Sequence, residues 1–419
     1  MPFEPKTSFP GLLADSAARL AQDLAAEYPR SADPTLIAEM GWNAVLIPEA
    51  QGGVGGEFAD LASIIEALAT RAVDLPVITR CGVLPAMLGA LADRAAADNR
   101  HADGARPDGL RADGLHADGA RAQALLTGCA EGTVVLELGG PLCAGDPVAP
   151  MAIQGAGRNL RITGKTVEMP LSDDCTHVLL VCREVDGAPV LACVAADRLR
   201  AQAGFFHTMD EVRVCVCDVR DLALTDADIV ASGADARRAI DAGWRVAVAA
   251  TATDTVCAMG GVLERTITYL LERVQFGQPL AQFQALRHDV ARLYVTYEIS
   301  RSLLQATLRE IETGDAAEAG AGSESESESE SESGSGSGSS TAPSPAQRGA
   351  EAFDLLGLYT SEEAVSYAET VIQLHGGMGM TREMPAARLA TRLLANAMRF
   401  GDTLSHRQSL NRLRTRTTA

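Results

Sequence analysis

Residues 260–288, GGVLERTITYLLERVQFGQPLAQFQALRH, carry two helical signals with a turn between them. Leu263, Ile267, Leu270, Leu271 and Val274 recur at helical spacing and mark one buried face. Gly277 and Pro279 break that period. A second stripe follows: Leu286, Val290, Leu293, Tyr297 and Leu304. Arg273 falls in the last turn of the first helix, Phe276 lies just past it, and Gln284 opens the second. A guanidinium, an aromatic ring and an amide around one tight turn could grip a phosphate and a flat ring system together. An ordinary helix hairpin with an exposed arginine fits the same spacing.

At 419 residues the chain is long enough for two or three domains, each with its own core. Aromatic residues make up only 4%, so Ala, Leu and Val must carry the packing. A net charge of -19 argues against nucleic acid, which demands a basic face. Nine cysteines without paired spacing point to a reducing cytoplasm rather than a disulfide framework. Cys215 and Cys217 would share one face of a strand, but no second pair completes a metal site. MPFEPKTSFPGLL at the start lacks the charged end and apolar core of a signal peptide. The most apolar window, Val246 to Val262, contains Asp254 and several threonines, and reads as a core helix rather than a membrane span.

Along the chain, Leu12 to Tyr28 is helical in period. Asp33-Pro34 opens a short helix through Met40. Phe58 to Leu68 and Val83 to Leu91 mark two more helices. Residues 98–122 hold near-copies of one unit, such as His101-Ala102-Asp103-Gly104 and His116-Ala117-Asp118-Gly119, with nothing apolar to bury. They read as a disordered insertion without metal-ligand spacing. Short alternating runs at 134–136, 160–162, 177–182, 190–194 and 212–216 are strand candidates. Helical character resumes at Asp235. A second low-complexity tract, 312–347, reads as a solvated loop. Helices then follow from Ala350 to Leu374 and from Ala386 to Met398, before a basic tail.

Three separated motifs carry a resemblance. Tyr269-x3-Arg273-x2-Phe276-Gly277, with Phe283-Gln284 and His288, resembles the signature hairpin of the acyl-CoA dehydrogenase family of flavoproteins. Gly41-Trp42-Asn43-Ala44-Val45-Leu46-Ile47-Pro48-Glu49, then Gly52-Gly53-x-Gly55, resembles its N-terminal element. Gln373-Leu374-His375-Gly376-Gly377-Met378-Gly379-Met380, then Glu383 and Pro385, is similar to its C-terminal glycine loop. The resemblance implies an N-terminal α-helical domain (1–122), a central β-barrel-like domain (123–232) and a C-terminal four-helix bundle (233–419). It also implies FAD, an acyl-CoA substrate desaturated between its α and β carbons, and an electron-transfer flavoprotein as acceptor. By the same resemblance Arg273 neutralises the pyrophosphate and Phe276 packs on the cofactor. Gln284 and Gln373 meet its polar groups, and Gly376 and Gly377 admit it closely. A cofactor gripped by two subunits implies a homo-oligomer, or a hetero-oligomer with a paralogue.

In the middle third this chain departs from the family pattern. Gly139-Gly140-Pro141 stands where a Thr-Glu-Pro-Gly-like loop is usual, and no tryptophan follows Gly164-Lys165-Thr166-Val167. The family's base is a desolvated carboxylate with raised pKa. Phe400 occupies one of its two usual positions, and the other, near Trp244 to Ala247, holds no acid. Asp402 is the nearest carboxylate and the expected catalytic residue, with capping of the terminal helix as its competing role. Asp254 is a second candidate, with a hydrogen-bonded buried acid as the favoured alternative. His375 and His406 are expected to be structural or exposed, since the reaction needs no imidazole. The missing glutamate leaves open a non-catalytic subunit that shares a flavin site with an active paralogue.

Overall fold

The computed structural model describes residues 3–5, 9–11, 13–26, 32–101, 119–143, 149–155, 159–321 and 345–417. The N-terminal region is helical: α1 (Ala14–Ala26), α2 (Leu36–Glu39), α3 (Phe58–Ala69), α4 (Leu84–His101) and α5 (Gly119–Ala130). Asp33 does not cap α2. Its carboxylate accepts from the Thr35 amide at 3.0 Å, and Thr35 is the residue that precedes the helix. Glu57 and Asp60 form a capping box that starts α3. A π-helical turn, Ile78–Val83, leads into α4. Most of the repeat tract lies outside the described residues, but its last residues, 119–122, are helical and Ala122 is buried. Alanine and leucine on the α5 face draw that segment into the core, contrary to its reading as insertion.

The central sheet contains β1 (Leu136–Leu138), β2 (Met151–Gln154), β3 (Leu160–Lys165), β4 (His177–Arg183), β5 (Pro189–Ala195), β6 (Ala203–His207), β7 (Arg213–Leu224) and β8 (Ile229–Ser232), with a short helix α6 (Asp197–Arg200) between β5 and β6. Strand order is β6-β7-β3-β2-β4-β5-β8, and β1 pairs in parallel with β4. Among the described residues the end strands β6 and β8 do not pair with each other. Strands β2, β6 and β8 escape the sequence reading. β2 and β8 have four residues each, too few to show alternation, and β6 is largely exposed.

The C-terminal bundle packs α7 (Gly233–Glu272), α8 (Gln284–Ala321), α9 (Pro345–His375), α10 (Pro385–Asn396) and α11 (Thr403–Thr417). Helices α8 and α9 extend into the tract read as a solvated loop, whose residues 322–344 lie outside the described ones. Between α7 and α8 sits a two-strand hairpin, β9 (Val274–Gln275) and β10 (Gln278–Pro279). Its turn residues Phe276 and Gly277 have φ of 51° and 82°. Both are positive, as the tightest hairpin turns require.

Helix α7 runs through the middle, buried from Ala247 to Leu263 and packed on α3, α4, α9 and α10. It is long and apolar enough to cross a membrane by composition, but its apolar window is buried within the protein. Asp254 sits in that window. Arg392 of α10 grips it through Nε at 2.7 Å and Nη2 at 2.5 Å, and Asn396 Nδ2 donates to it at 2.6 Å. The alternative favoured for Asp254, a hydrogen-bonded buried acid, is what the structure shows. Burial raises its pKa, but the Arg392 charge outweighs that and holds it below the ordinary carboxylate range. Asp254→Ala should leave Arg392 buried without its partner and cost about 3–5 kcal/mol. A urea titration of the purified variant checks this, and an unchanged midpoint would show that the pair is dispensable.

Candidate functional site

Tyr269, in the last turn of α7, stacks on His375 at the end of α9, with ring centroids 4.6 Å apart and 27° between planes. The Tyr269 hydroxyl also donates to the His375 carbonyl at 3.4 Å. This contact joins two motifs 106 residues apart in sequence. The hairpin carrying Arg273 and Phe276 therefore shares one end of the bundle with Gln373, Gly376 and Gly377.

Local chemistry places each group. Arg273 leaves α7 in extended conformation, with its amide held by the Tyr269 carbonyl and its own carbonyl accepting from Leu280. Its guanidinium is exposed and has no ion-pair or hydrogen-bond partner among the described residues. Phe276 is 89% exposed and touches Phe283 edge to face at 6.1 Å. Gln284 and Gln373 are exposed. Gly376 has φ +57, and a Cβ on Gly376 or Gly377 would meet nothing within 4 Å. Among the described residues nothing demands glycine at 377. Next to this loop, burial lowers the His375 pKa. Its Nδ1 donates to the Val371 carbonyl at 2.9 Å, and Nε2 is buried without a partner.

An unpaired guanidinium, two free amides, an uncovered aromatic face and open glycine backbone match a dinucleotide's diphosphate and flat ring. Residues of these types can hold FAD, and all six are exposed, whereas a tight site buries most of its ligand.

The β-domain contribution is different. Gly139 donates its amide to Leu179 at 2.8 Å, and a Cβ there would lie 2.6 Å from Leu180. A Cβ on Gly140 would lie 2.5 Å from Val181. Strand β4 therefore imposes both glycines, and the Gly139 amide is already taken. Lys165 is exposed at the end of β3.

Asp402 precedes α11. Its Oδ1 accepts from the Ser405 amide at 2.8 Å and the Ser405 hydroxyl at 2.7 Å. Burial pushes its pKa up, but these bonds outweigh it and hold the carboxyl below its ordinary value. The two Ser405 bonds are those of an N-cap, the competing role for Asp402. Phe400, two residues earlier, has φ of 56° and packs against the N-terminal core. Among the described residues no three-ligand metal cluster occurs, and no disulfide joins the cysteines.

Helical layer, central sheet and C-terminal helix bundle together define an acyl-CoA dehydrogenase-type fold. Residues 241–324 and 342–412 match the family described as acyl-CoA dehydrogenase, C-terminal domain. Acyl-CoA dehydrogenase IpdE2 of Mycobacterium tuberculosis (strain H37Rv) is 25% identical over 291 residues, 69% of this chain and 68% of that one. The ChsE4–ChsE5 complex from Mycobacterium tuberculosis contains a chain that superposes with a TM-score of 0.70 at 16% identity, covering 99% of this chain and 100% of that one. A glutaryl-CoA dehydrogenase from Mycobacterium smegmatis in complex with FADH2 superposes with a TM-score of 0.66 at 14% identity, covering 98% and 96%. Residues 241–324 and 342–412 therefore belong to the acyl-CoA dehydrogenase C-terminal domain family, the whole chain has the acyl-CoA dehydrogenase fold, and FAD is the cofactor of that family.

Asp402→Ala should lose about 1 kcal/mol of stability at neutral pH, and Asp402→Asn should keep most of it, because asparagine caps as well. The carboxylate's folded pKa is depressed, so its contribution is complete above the unfolded value of about 3.9. It is lost as pH falls through the lower folded value. Denaturation of the parent and both variants at neutral and acid pH checks the sign. A difference between parent and Asp402→Ala that grows in acid would contradict it.

Proposed function

We propose that the chain is an FAD-dependent acyl-CoA dehydrogenase that works as an oligomer. It would form a trans-2-enoyl thioester and pass electrons to an electron-transfer flavoprotein in a reducing, cytoplasmic compartment. The observation that supports this reading is the Tyr269–His375 stack, which joins the hairpin of Arg273 and Phe276 to the glycine loop. Arg273 pairs with the diphosphate, and Phe276 covers a flat ring. Gln284 and Gln373 bond the polar edges, and Gly376 and Gly377 admit the ligand against backbone. Bound FAD supplies a two-electron acceptor; the chain's own residues bind it, orient the thioester and exclude water.

The exposure of all six groups supports a second chain that closes the site. Tyr294, Val295 and Ile299 on α8 form an exposed apolar stripe that such a chain could cover. A second reading has this chain lend its patch to an active paralogue without itself catalysing. Phe400 at one usual base position, and Asp402 engaged as a cap, favour that reading.

Arg273→Ala should weaken FAD retention by tenfold or more, since a charged hydrogen-bond partner is worth about 1.5–3 kcal/mol. Lys165→Ala should retain parent levels. Visible spectra of the purified proteins report flavin content, and equal content in both variants would remove Arg273 from the site. A colourless parent that gains flavin only with a paralogous chain would select the second reading.

A further inference from the structure

Glu137 lies between Leu136 and Leu138 on β1, and all three side chains are buried. Leu136 and Leu138 join the core beneath the N-terminal helices. Alternation along the strand turns Glu137 to the other face, where its register partner Val178 belongs to the core of the sheet. A carboxyl group is thus carried into the interior at the junction of helical layer and sheet. Arg80 reaches it from the π-helical turn and donates from Nε to Oε1 at 2.6 Å. Glu137 Oε2 is buried and has no hydrogen-bond partner among the described residues.

Charge at this junction does not balance if Glu137 is ionised. Arg80 also donates to Asp174 from Nη1 at 2.9 Å and to the Ser172 hydroxyl from Nη2 at 2.6 Å. Burial pushes the Asp174 pKa up, but bonds from Arg80 and Ser172 outweigh that and hold it below its ordinary value. Asp174 therefore already matches the one guanidinium charge. The other groups around Glu137 supply no second cation. Cys81 sits on the π-helical turn, Cys175 follows Asp174, and Cys215 is on β7. Arg200, at the end of α6, is engaged by the Ser172 and Cys175 carbonyls and by Asp197. On β4, His177 lies 2.9 Å from the Thr176 hydroxyl. Helix α4 packs here through apolar side chains such as Leu84 and Leu88. Burial accordingly raises the Glu137 pKa to about 7, with the Arg80 charge opposing. A neutral acid with one unmet hydrogen bond costs less at this depth than a surplus anion.

We propose that Glu137 is a proton-operated latch between the helical layer and the sheet, closed while its carboxyl is neutral and loosened when the carboxyl ionises. This role does not depend on whether the chain acts on acyl-CoA. In a locally opened junction water reaches Glu137, which then titrates as an ordinary carboxyl. The closed form keeps its proton up to about pH 7, whereas the open form releases it from about pH 4.5. Closure is thus fully favoured below the lower value and weakens as pH rises through the higher one. Strand β1 leads into the segment holding Cys143, whose Sγ would lie 3.7 Å from a Cβ on Gly401. Opening at Glu137 therefore also bears on the contact between this segment and the C-terminal bundle.

Hydrogen–deuterium exchange of the full-length protein tests the latch, on peptides covering 76–83 and 135–142, corrected for the intrinsic pH dependence of exchange. In the parent the opening constant should rise on the order of 50-fold between about pH 5 and about pH 8, mostly below pH 7, and then level off. Glu137→Gln keeps the shape and an acceptor for Arg80 but cannot ionise. It should flatten the rise, while peptides of α9 behave alike in both proteins. Should Glu137→Gln not fold, infrared spectroscopy of the parent decides. The carbonyl stretch of a protonated carboxyl should persist above about pH 5 and fade with a midpoint near 7. A parent whose junction opens equally at both pH values overturns the latch, as does a Glu137→Gln variant that keeps the parent's rise. So does a parent with no protonated-carboxyl band between those values.

Discussion

Asp254 and Arg392 are both almost fully buried, and the fold is arranged around keeping them together. Two isolated charges at that depth would each cost several kcal/mol. The bidentate contact, the Asn396 amide and the Val73 carbonyl, which accepts from Arg392 Nη1 at 2.9 Å, together offset that cost. Because the partners belong to α7, α10 and the segment after α3, satisfying the charges sets the mutual placement of these three elements. Small residues on α7 allow close approach: a Cβ on Gly261 would lie 2.6 Å from the Thr70 carbonyl.

A second buried network links the N-terminal helices to the sheet. Arg80, on the π-helical turn, donates to Glu137 of β1 at 2.6 Å, to Asp174 at 2.9 Å and to Ser172 at 2.6 Å. Burial pushes the Glu137 pKa up to about 7, against the pull of the Arg80 charge. The Glu137 oxygen not facing Arg80 is buried without a partner. One guanidinium thus spans helix, strand and loop, which explains a wider helical turn at 78–83, where Arg80 must reach inward.

Exposed and buried groups of the bundle differ in where their geometry comes from. Arg273, Phe276, Gln284, Gln373, Gly376 and Gly377 are exposed at one end of the bundle. The turn at 400–401 and the His406–Asp354 pair lie inside, between α7, α9 and α11, where packing and polar satisfaction constrain every atom. The sheet adds little to either, since Gly139 and Gly140 are committed to β4.

Much of this was legible in the sequence. The period of Leu263 to Val274, the Phe276-Gly277 turn, the glycine loop and five of the eight strands of the central sheet follow from local chemistry, because helical stripes, turn residues and β-branched runs act over a few residues. The local signal failed where an element was very short, as in β2 and β8, or was held by remote contacts, as in α5. Asp402 could be a cap or a base on sequence alone, and the two Ser405 hydrogen bonds that make it a cap appear only in the structure. His406, expected to be structural or exposed, is buried against Asp354, a partner 52 residues away on another helix that the sequence could not name. Which charges are buried, which nitrogens stay unsatisfied and which motifs meet are properties of contacts across the chain, so tertiary packing alone decides them.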